Sequence, residues 1–587
     1  MTKPTRAVFL CAVLLTPGLF ASFPAAADDG DLAWARQLGG SDDTEGRSIA
    51  LDRARNAISA GVFLGTSDFD PGAGTQNLTA TGDTDGYISK LDKTGAFVWV
   101  KQLDGAVFDI RVAVDRDDNV YAAGGFTSAT DFDPSAGEVE LTPVGLTDVF
   151  ICKYASDGAL VWAKQFGGTV EDTLRGLAVD DEGNAYTTGD FGGTADFDPG
   201  AGTFSFTALG NIEAFVSKLD TNGNLVWARQ FETTDIVQGY GIAVDANQNV
   251  YTTGSFSEST DFDPGISDFV LTSVVGTDAF VAKLNASGNF VWARRFGGDL
   301  EEIGLAIDVD AGGRAVVAGK FDDDVHFPTT TTELVLSTVD EEDAFVVKLN
   351  KGGNALWARR LGGLESQIPL AIAIDPEKNV FVAGGYDATM DADPGAGVQN
   401  LGNVGGGDAF VVKLNGAGSF VWGTAIQGTD DETCFDVVAD SSGNAHVTGR
   451  FTGSTDFAAG LEEFILQTGT DIVDAFVVKF SGVPRLAVLS PNGGESWRIG
   501  ETHEIAWDPA GVIAGNMTIK LLRDGDVVKT LAESIADDGS FTWKIKDKRG
   551  RITPGDDYTI KIVDANPSNP TNRDESDAPF EILPRQK

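Results

Sequence analysis

Seven Trp-centred segments at near-constant spacing, four short β-type runs in each interval, and an offset between the first segment and the last unit predict an all-β chain. The expected architecture is a seven-bladed β-propeller of four-stranded blades, closed by its own N-terminal strand and followed by an immunoglobulin-like β-sandwich. The Trp ruler reads Trp34, Trp99, Trp162, Trp227, Trp292, Trp357 and Trp422, with gaps of 65, 63, 65, 65, 65 and 65 residues. A second ruler, an acidic residue opening a strand, falls at Asp85, Asp148, Glu213, Asp278, Asp343, Asp408 and Asp474.

The first 27 of 587 residues carry Lys3 and Arg6, the apolar run AVFLCAVLL, helix-breaking Pro17, Gly18 and Pro24, and Ala25-Ala26-Ala27. A secretory signal cleaved near Ala27 is expected, since the apolar run falls short of the roughly 20 residues that span a bilayer. The protein is therefore expected outside the cell or at its surface, with no membrane span. Its net charge of −45 becomes −47 once Lys3 and Arg6 leave with the signal. Such a chain repels phosphate backbones, which argues against nucleic acid as a partner. Cys11 goes with the signal, and Cys152 and Cys434 fall in units that are not ring neighbours, so the fold does not rely on disulfides.

Residues 28–480 are assigned to the propeller. In the fourth unit the β-type runs are GIAVD (241–245), NVYTTGSF (249–256), DAFVAKL (278–284) and NFVWARRF (289–296). Each is rich in β-branched and aromatic residues and bounded by turn residues. The first turn runs from Asp245 to Asn249; the turn before Trp sets Gly three residues after Asp or Asn, as at Asp220–Gly223. Gly there supplies the left-handed conformation of a tight hairpin. A lone Trp strand precedes the first full unit, and the seventh unit stops at residues 474–480 without one. The first strand thus fits the vacancy in the last blade, which removes two open sheet edges.

Residues 481–485 (SGVPR) read as a linker, and 486–587 as the sandwich, with roughly seven short strands in about 100 residues. Trp497, Trp507 and Trp543 are expected in its core, and Asp524-Gly525 at a hairpin turn. Asn516-Met517-Thr518 matches a weak glycosylation pattern.

NVYTTGSFSESTDFDPG followed by DAFVAKLNASGNFVWARRFGG resembles the bacterial seven-bladed β-propeller (SBBP) repeat and is more loosely similar to NHL-type repeats. That resemblance implies fold and export and carries over no catalytic residue. SPNGGESWRIGETHEIAW resembles a domain of the yeast cell-wall-synthesis, Ser/Thr-rich GPI-anchored membrane protein family. It implies an accessory module contacting cell surface or matrix.

The acidic motif Asp-Phe-Asp-Pro-Gly places candidate Ca²⁺ ligands at Asp68, Asp70, Asp131, Asp133, Asp196, Asp198, Asp261, Asp263, Asp391 and Asp393. Residues two apart in an extended segment face the same way, so the carboxylates converge while Phe points into the blade. Two Asp fall short of the 6–8 oxygens Ca²⁺ takes, and capping of the turn backbone is the leading reading. No cofactor is required; Ca²⁺ is the one the sequence allows. The recurring Asp and Lys of the third strand, as Asp278 with Lys283, Asp343 with Lys348 and Asp408 with Lys413, are read as bridging blades or capping a ring face. His326, His446 and His503 are too scattered for a zinc site or a base–nucleophile pair and are expected on the surface or as satisfied strand residues.

No catalytic residue is assigned. The expected function is that of a non-enzymatic, acidic, secreted or cell-surface scaffold or binding protein, acting as a monomer on an extracellular protein or cell-wall glycan. The alternatives are an extracellular polysaccharide lyase or hydrolase using propeller carboxylates and a Ca²⁺-stabilised surface protein. A feature present seven times is architectural, so any specific site belongs where a unit departs from the pattern.

Overall fold

The computed structural model describes residues 29–482, apart from 83, 134–136, 138, 340, 459–462 and 471, together with 487–491, 494–508, 517–523, 526–535, 540–546, 552–564, 573–576 and 579–585. The segment read as a signal, most of SGVPR, Asp524-Gly525 and Asn516 lie outside those residues. No helix among them is long and apolar enough to cross a membrane.

Residues 29–482 form seven antiparallel four-stranded meanders. Their inner strands are Thr44–Leu51, Val107–Val114, Asp172–Val179, Val237–Val244, Glu302–Val309, Gln367–Ile374 and Thr433–Ala439, which define blades 1 to 7. Each inner strand neighbours that of the next blade, and the seventh neighbours the first, so the sheets stand in a closed ring. Blade 4 continues through Val250–Asp261, Val270–Leu284 and Phe290–Phe296. Its second and third strands run beyond the predicted bounds because they extend into a hairpin, Asp261 pairing with Val270. The equivalent short arms of blades 1, 3, 6 and 7 pair with the outer strand of the preceding blade, as Asp68 does with Gly39.

Blade 7 takes its outer strand from the other end of the chain. Leu32–Gly40 runs antiparallel to Val473–Phe480, with Trp34 opposite Lys479 and Leu38 opposite Ala475. The graft reproduces the contacts of an uninterrupted blade. Gln37 Nε2 donates to Asp474 Oδ2 at 2.6 Å, as Gln102 does to Asp85 within blade 1. Trp34 Nε1 donates to the Lys93 carbonyl of blade 1 at 3.3 Å, as Trp227 does to Ala286 and Trp292 to Lys351 in the following blades.

Even the missing hairpin turn is rebuilt. Gly30 N donates to the Ser481 carbonyl and Ser481 N to that of Asp31, each at 2.7 Å. Gly30 has φ +97° and sits against the Trp422 indole, as Gly95, Gly223 and Gly288 sit against Trp34, Trp162 and Trp227. A Cβ at Gly30 would lie 3.0 Å from the indole ring. Asp29 accepts the Trp422 indole N–H at 2.8 Å and pairs with Lys413 at 3.0 Å.

Between blades lie continuous apolar clusters. Phe451, Phe457 and Phe476 pack in one and Phe231, Phe262 and Phe280 in another. Phe69, Phe132, Phe197 and Phe262, the central residues of the acidic motif, are fully buried as expected. Each aromatic side chain so placed hides about 150–250 Å² from water.

The C-terminal part forms two sheets. Thr502–Asp508 lies between Ala487–Ser490 and Ser540–Lys544; the second sheet carries Ser496–Arg498, Phe580–Leu583, Gly555–Asp564, Met517–Arg523 and Asp526–Ile535, with Arg573–Glu575 at Gly555–Asp564. These nine strands exceed the expected seven because short edge pieces escape a periodicity count. Trp497, Trp507 and Trp543 are buried among Ile505, Ile519, Ile560 and Phe580.

Candidate functional site: the central channel

The recurring polar residues are occupied by the architecture. Asp68 Oδ1 accepts the amides of Asp70 (3.0 Å) and Gln76 (2.7 Å), and Asp70 Oδ1 accepts that of Gly72 (2.8 Å). Asp196 and Asp198, Asp261 and Asp263, and Asp391 and Asp393 repeat the pattern. Asp131 accepts from Asp133 and Val139. Each motif is a backbone cap that closes the arm's turn. Among the described residues no three His, Cys, Asp or Glu side chains gather as a metal cage.

The third-strand Lys does not pair with the Asp of its own strand. Lys90, Lys153, Lys283, Lys348 and Lys479 reach Asp52, Asp115, Asp245, Asp310 and Asp440, the first-turn Asp of their own blades, at 2.8–3.9 Å. Bridging is achieved by further hydrogen bonds: Lys90 donates to the Ser156 carbonyl, Lys153 to Thr221 and Lys218 to Gln248, all in the next blade. The strand-opening acids turn the other way. Asp278 takes Arg295 Nη1 at 2.7 Å and Asp343 takes Arg360 Nη1 at 2.8 Å.

Two of these acids also meet a second carboxyl from the next blade. The Asp278 carboxyl faces that of Glu302, and Asp408 faces Glu432. All four are buried. Desolvation pushes Glu302 and Glu432 up to about 8, the adjacent carboxylate adding to the effect. Asp172, beside Asp148, is raised to about 7 by the same causes. None of these pairs lines the channel.

His446 is not a surface residue. It is fully buried in the strand Ala445–Thr452 at the position of Tyr121, Tyr186 and Tyr251, with Nε2 3.6 Å from Asp440 and its ring edge-on to Trp34. Burial lowers its pKa and keeps it neutral. His326 is exposed and hydrogen-bonds Glu333 at 3.0 Å; His503 stacks on Trp497 at 4.6 Å.

The departures from the repeat converge elsewhere. A cavity of about 540 Å³ is lined by the inner strands of all seven blades. Ile49, Val112, Ile242, Ile307, Ile372 and Val437 supply a mostly uniform aliphatic ring. Beside it stand unlike residues: Arg47, Arg111, Arg175, Tyr240, Leu305, Leu370 and Phe435 from blades 1 to 7 in turn. All three cations thus come from three consecutive blades.

Arg47 pairs with Glu45, which also holds Arg450 at 2.8 Å, and Arg47 lies over the Phe435 ring at 4.4 Å. Arg175 pairs with Asp190 and lies over Tyr240 at 4.9 Å. Arg111 differs. Its Nε and Nη1 donate to the carbonyls of Arg175 (3.0 Å) and Ile110 (3.2 Å), and among the described residues it has no carboxylate within 4 Å. Burial lowers its pKa, while Asp109 and Asp436 oppose that and Arg47 and Arg175 add to it. Three carboxylates share the lining, Asp109, Asp308 and Asp436; Asp436 accepts from Ser48 Oγ and Ile49 N, and Asp308 from Val309 N and Ile374 N. Burial raises Asp308 to about 6.

The sequence holds a signal for this site. Sixteen residues separate Trp99 from Asp115 where every other blade has eighteen, and this accounts for the single 63-residue gap. The two missing residues fall at the entrance of the blade 2 inner strand. There Asp109 adopts φ +48° and the strand slips register between Phe108 and Arg111. Left-handed backbone in a non-Gly residue is uncommon and concentrates at functional positions.

Comparison with known proteins agrees with the architecture. A family model described as a beta-propeller repeat matches residues 161–190 and 226–255, and one described as a Kre9/KNH-like N-terminal Ig-like domain matches 490–578. An uncharacterized WD repeat-containing protein of Acanthamoeba polyphaga mimivirus is 25% identical over 504 residues, covering 72% of this chain and 36% of that protein. The regulatory protein FlaEY of Caulobacter vibrioides is 22% identical over 558 residues, covering 84% and 54%. The chain thus spans about a third to a half of the length of these relatives. Among solved structures, Sqt1 of Chaetomium thermophilum (TM-score 0.35, 10% identity, 78% of this chain and all of that one) and a gluconolactonase of Xanthomonas campestris (TM-score 0.26, 15% identity, 60% and 88%) are similar at levels that carry no functional argument. The chain carries SBBP-type β-propeller repeats and, after them, a Kre9/KNH-like Ig-like domain.

Proposed function

We propose that this protein is a non-enzymatic binding or scaffold protein of the cell exterior, its propeller serving as an interaction platform and its Ig-like module contacting cell wall, glycan or another protein. One observation carries the reading: the recurring carboxylates described above are engaged by backbone amides, Lys, Arg or a second carboxyl, so the repeat's chemistry is spent on holding blades together. What remains is the non-repeating channel, whose Arg residues are suited to holding a ligand. The N-terminal segment read as a signal and the Kre9/KNH-like domain support export and wall contact.

The test is incubation of the purified protein with a panel of acidic and neutral polysaccharides, following reducing ends and unsaturated products. Retention on a glycan without turnover is expected. Product formation abolished by Asp308→Asn or Asp109→Asn would replace this reading with the lyase or hydrolase alternative.

A further inference from the structure

Arg111 is a half-buried guanidinium that, among the described residues, has no carboxylate within ion-pair distance, in a cavity it shares with two other arginines and with Asp109, Asp308 and Asp436. A charge withdrawn from water is costly unless it is paired, and neighbouring like charges add to the cost. Arg47 and Arg175 each have one carboxylate, Glu45 and Asp190, placed outside the lining on the same and neighbouring strands. Arg175 engages only its Nε and Arg47 only its Nη2 in hydrogen bonds among the described residues. Both Nη groups of Arg175, Nε and Nη1 of Arg47 and Nη2 of Arg111 keep donors to spare. The rings of Phe435 and Tyr240 lie against Arg47 and Arg175 and limit where those side chains can swing.

We propose that the channel binds a small organic carboxylate of about monosaccharide size, its carboxylate seated on Arg111 between Arg47 and Arg175. Planar guanidinium forks match carboxylate geometry and give short, charge-assisted hydrogen bonds. A cavity of about 540 Å³ falls within the range of small-molecule sites, roughly 300–1,000 Å³, and exceeds what an inorganic oxyanion fills. The aliphatic ring of Ile49, Val112, Ile242, Ile307, Ile372 and Val437 offers the less polar remainder of the ligand a surface of matching character. The three guanidiniums share the lining with Asp109, Asp308 and Asp436, of which Asp308 and Asp436 are held by backbone amides and Ser48. The two-residue shortening at the blade 2 entrance places Arg111 one position later than Arg47 and Arg175, so the middle guanidinium is offset from its neighbours.

The proposal rests on the binding-protein reading but is tested separately from it. Calorimetry of the full chain would use D-galacturonate, D-galactose as its uncharged counterpart, citrate and inorganic phosphate. Saturable binding of galacturonate with no galactose binding is expected, weakened at least tenfold in Arg111→Met and less in Arg111→Lys, with both variants melting no lower than the parent. Citrate binding in place of galacturonate keeps the carboxylate assignment and makes the ligand an organic acid. Binding of phosphate alone, or galacturonate binding unchanged in Arg111→Met, overturns the proposal. Absence of any anion binding also overturns it, while glycan retention in the polysaccharide panel would leave the broader reading standing.

Discussion

Glu302→Gln should make the protein less sensitive to alkaline pH. In the native protein Glu302 Oε2 accepts the Gly298 amide at 2.8 Å, and the other oxygen faces Asp278, whose Oδ2 is held by Arg295. Arg295 keeps Asp278 the better anion, so the shared proton resides on Glu302. A carboxyl raised from 4.5 to about 8 holds its proton in the folded state across a window where the unfolded chain has lost it. Stability is full below the unfolded value near 4.5 and is lost progressively as pH rises towards the folded value of about 8. At about 1.4 kcal/mol per pH unit the loss between pH 5 and pH 8 is bounded near 4 kcal/mol, and partial rehydration of the opened pair brings it to about 2 kcal/mol.

Gln keeps the acceptor for Gly298 and presents an N–H₂ to Asp278 at every pH. Urea unfolding at pH 5, 6, 7 and 8 is the assay. The variant is expected to match the parent within about 1 kcal/mol at pH 5 and to exceed it by about 2 kcal/mol at pH 8. A parent–variant difference that stays constant across the range refutes the shared-proton account.

Three further outcomes follow from the same geometry. Lys90→Met strands the buried Asp52 carboxylate 2.8 Å from where its cation stood and should cost about 3–5 kcal/mol in urea unfolding; a loss under 1 kcal/mol would make the Lys–Asp pairs incidental. Gly30→Val forces a β-branched residue into φ +97° against the Trp422 indole, about 1–3 kcal/mol of strain, and deleting residues 31–38 should open the ring; unchanged melting of either rejects the rebuilt turn. Since the acidic motifs are capped by their own backbone, exchanging Ca²⁺ for a chelator should move the melting temperature by less than about 2 °C, whereas a larger, saturable shift would establish the Ca²⁺-stabilised reading.

What was legible in the sequence was whatever repeats. An indole every 63–65 residues marks the outer strand because a large ring recurs only where the same pocket recurs, and the unpaired Trp34 strand predicted its partner at residues 474–480. Asp29 and Gly30 escaped notice because two residues carry no period; their roles show only against Trp422. The Lys–Asp pairing within a blade was not legible: Lys283 and Asp278 share the strand Val270–Leu284, but the partner within reach of Lys283 is Asp245, at the first turn of the same blade. His446 looked isolated because its meaning lies in the Tyr it replaces. The channel was missed for the converse reason. Its residues differ from blade to blade, and only the shortened interval before Asp115 marks the place along the chain.

The central claim is that the two ends of the propeller share one sheet. Hydrogen–deuterium exchange read at Arg36 and Leu38 tests it most directly, because those residues lie opposite Val477 and Ala475 and share the alternation of Phe231, whose amide donates to Ala214 in the equivalent pair of blade 3. Protection equal to that of the outer strand Phe420–Gly428 is predicted, lost together with it under denaturant. Exchange of residues 34–38 within seconds while Phe420–Gly428 stays protected would contradict it.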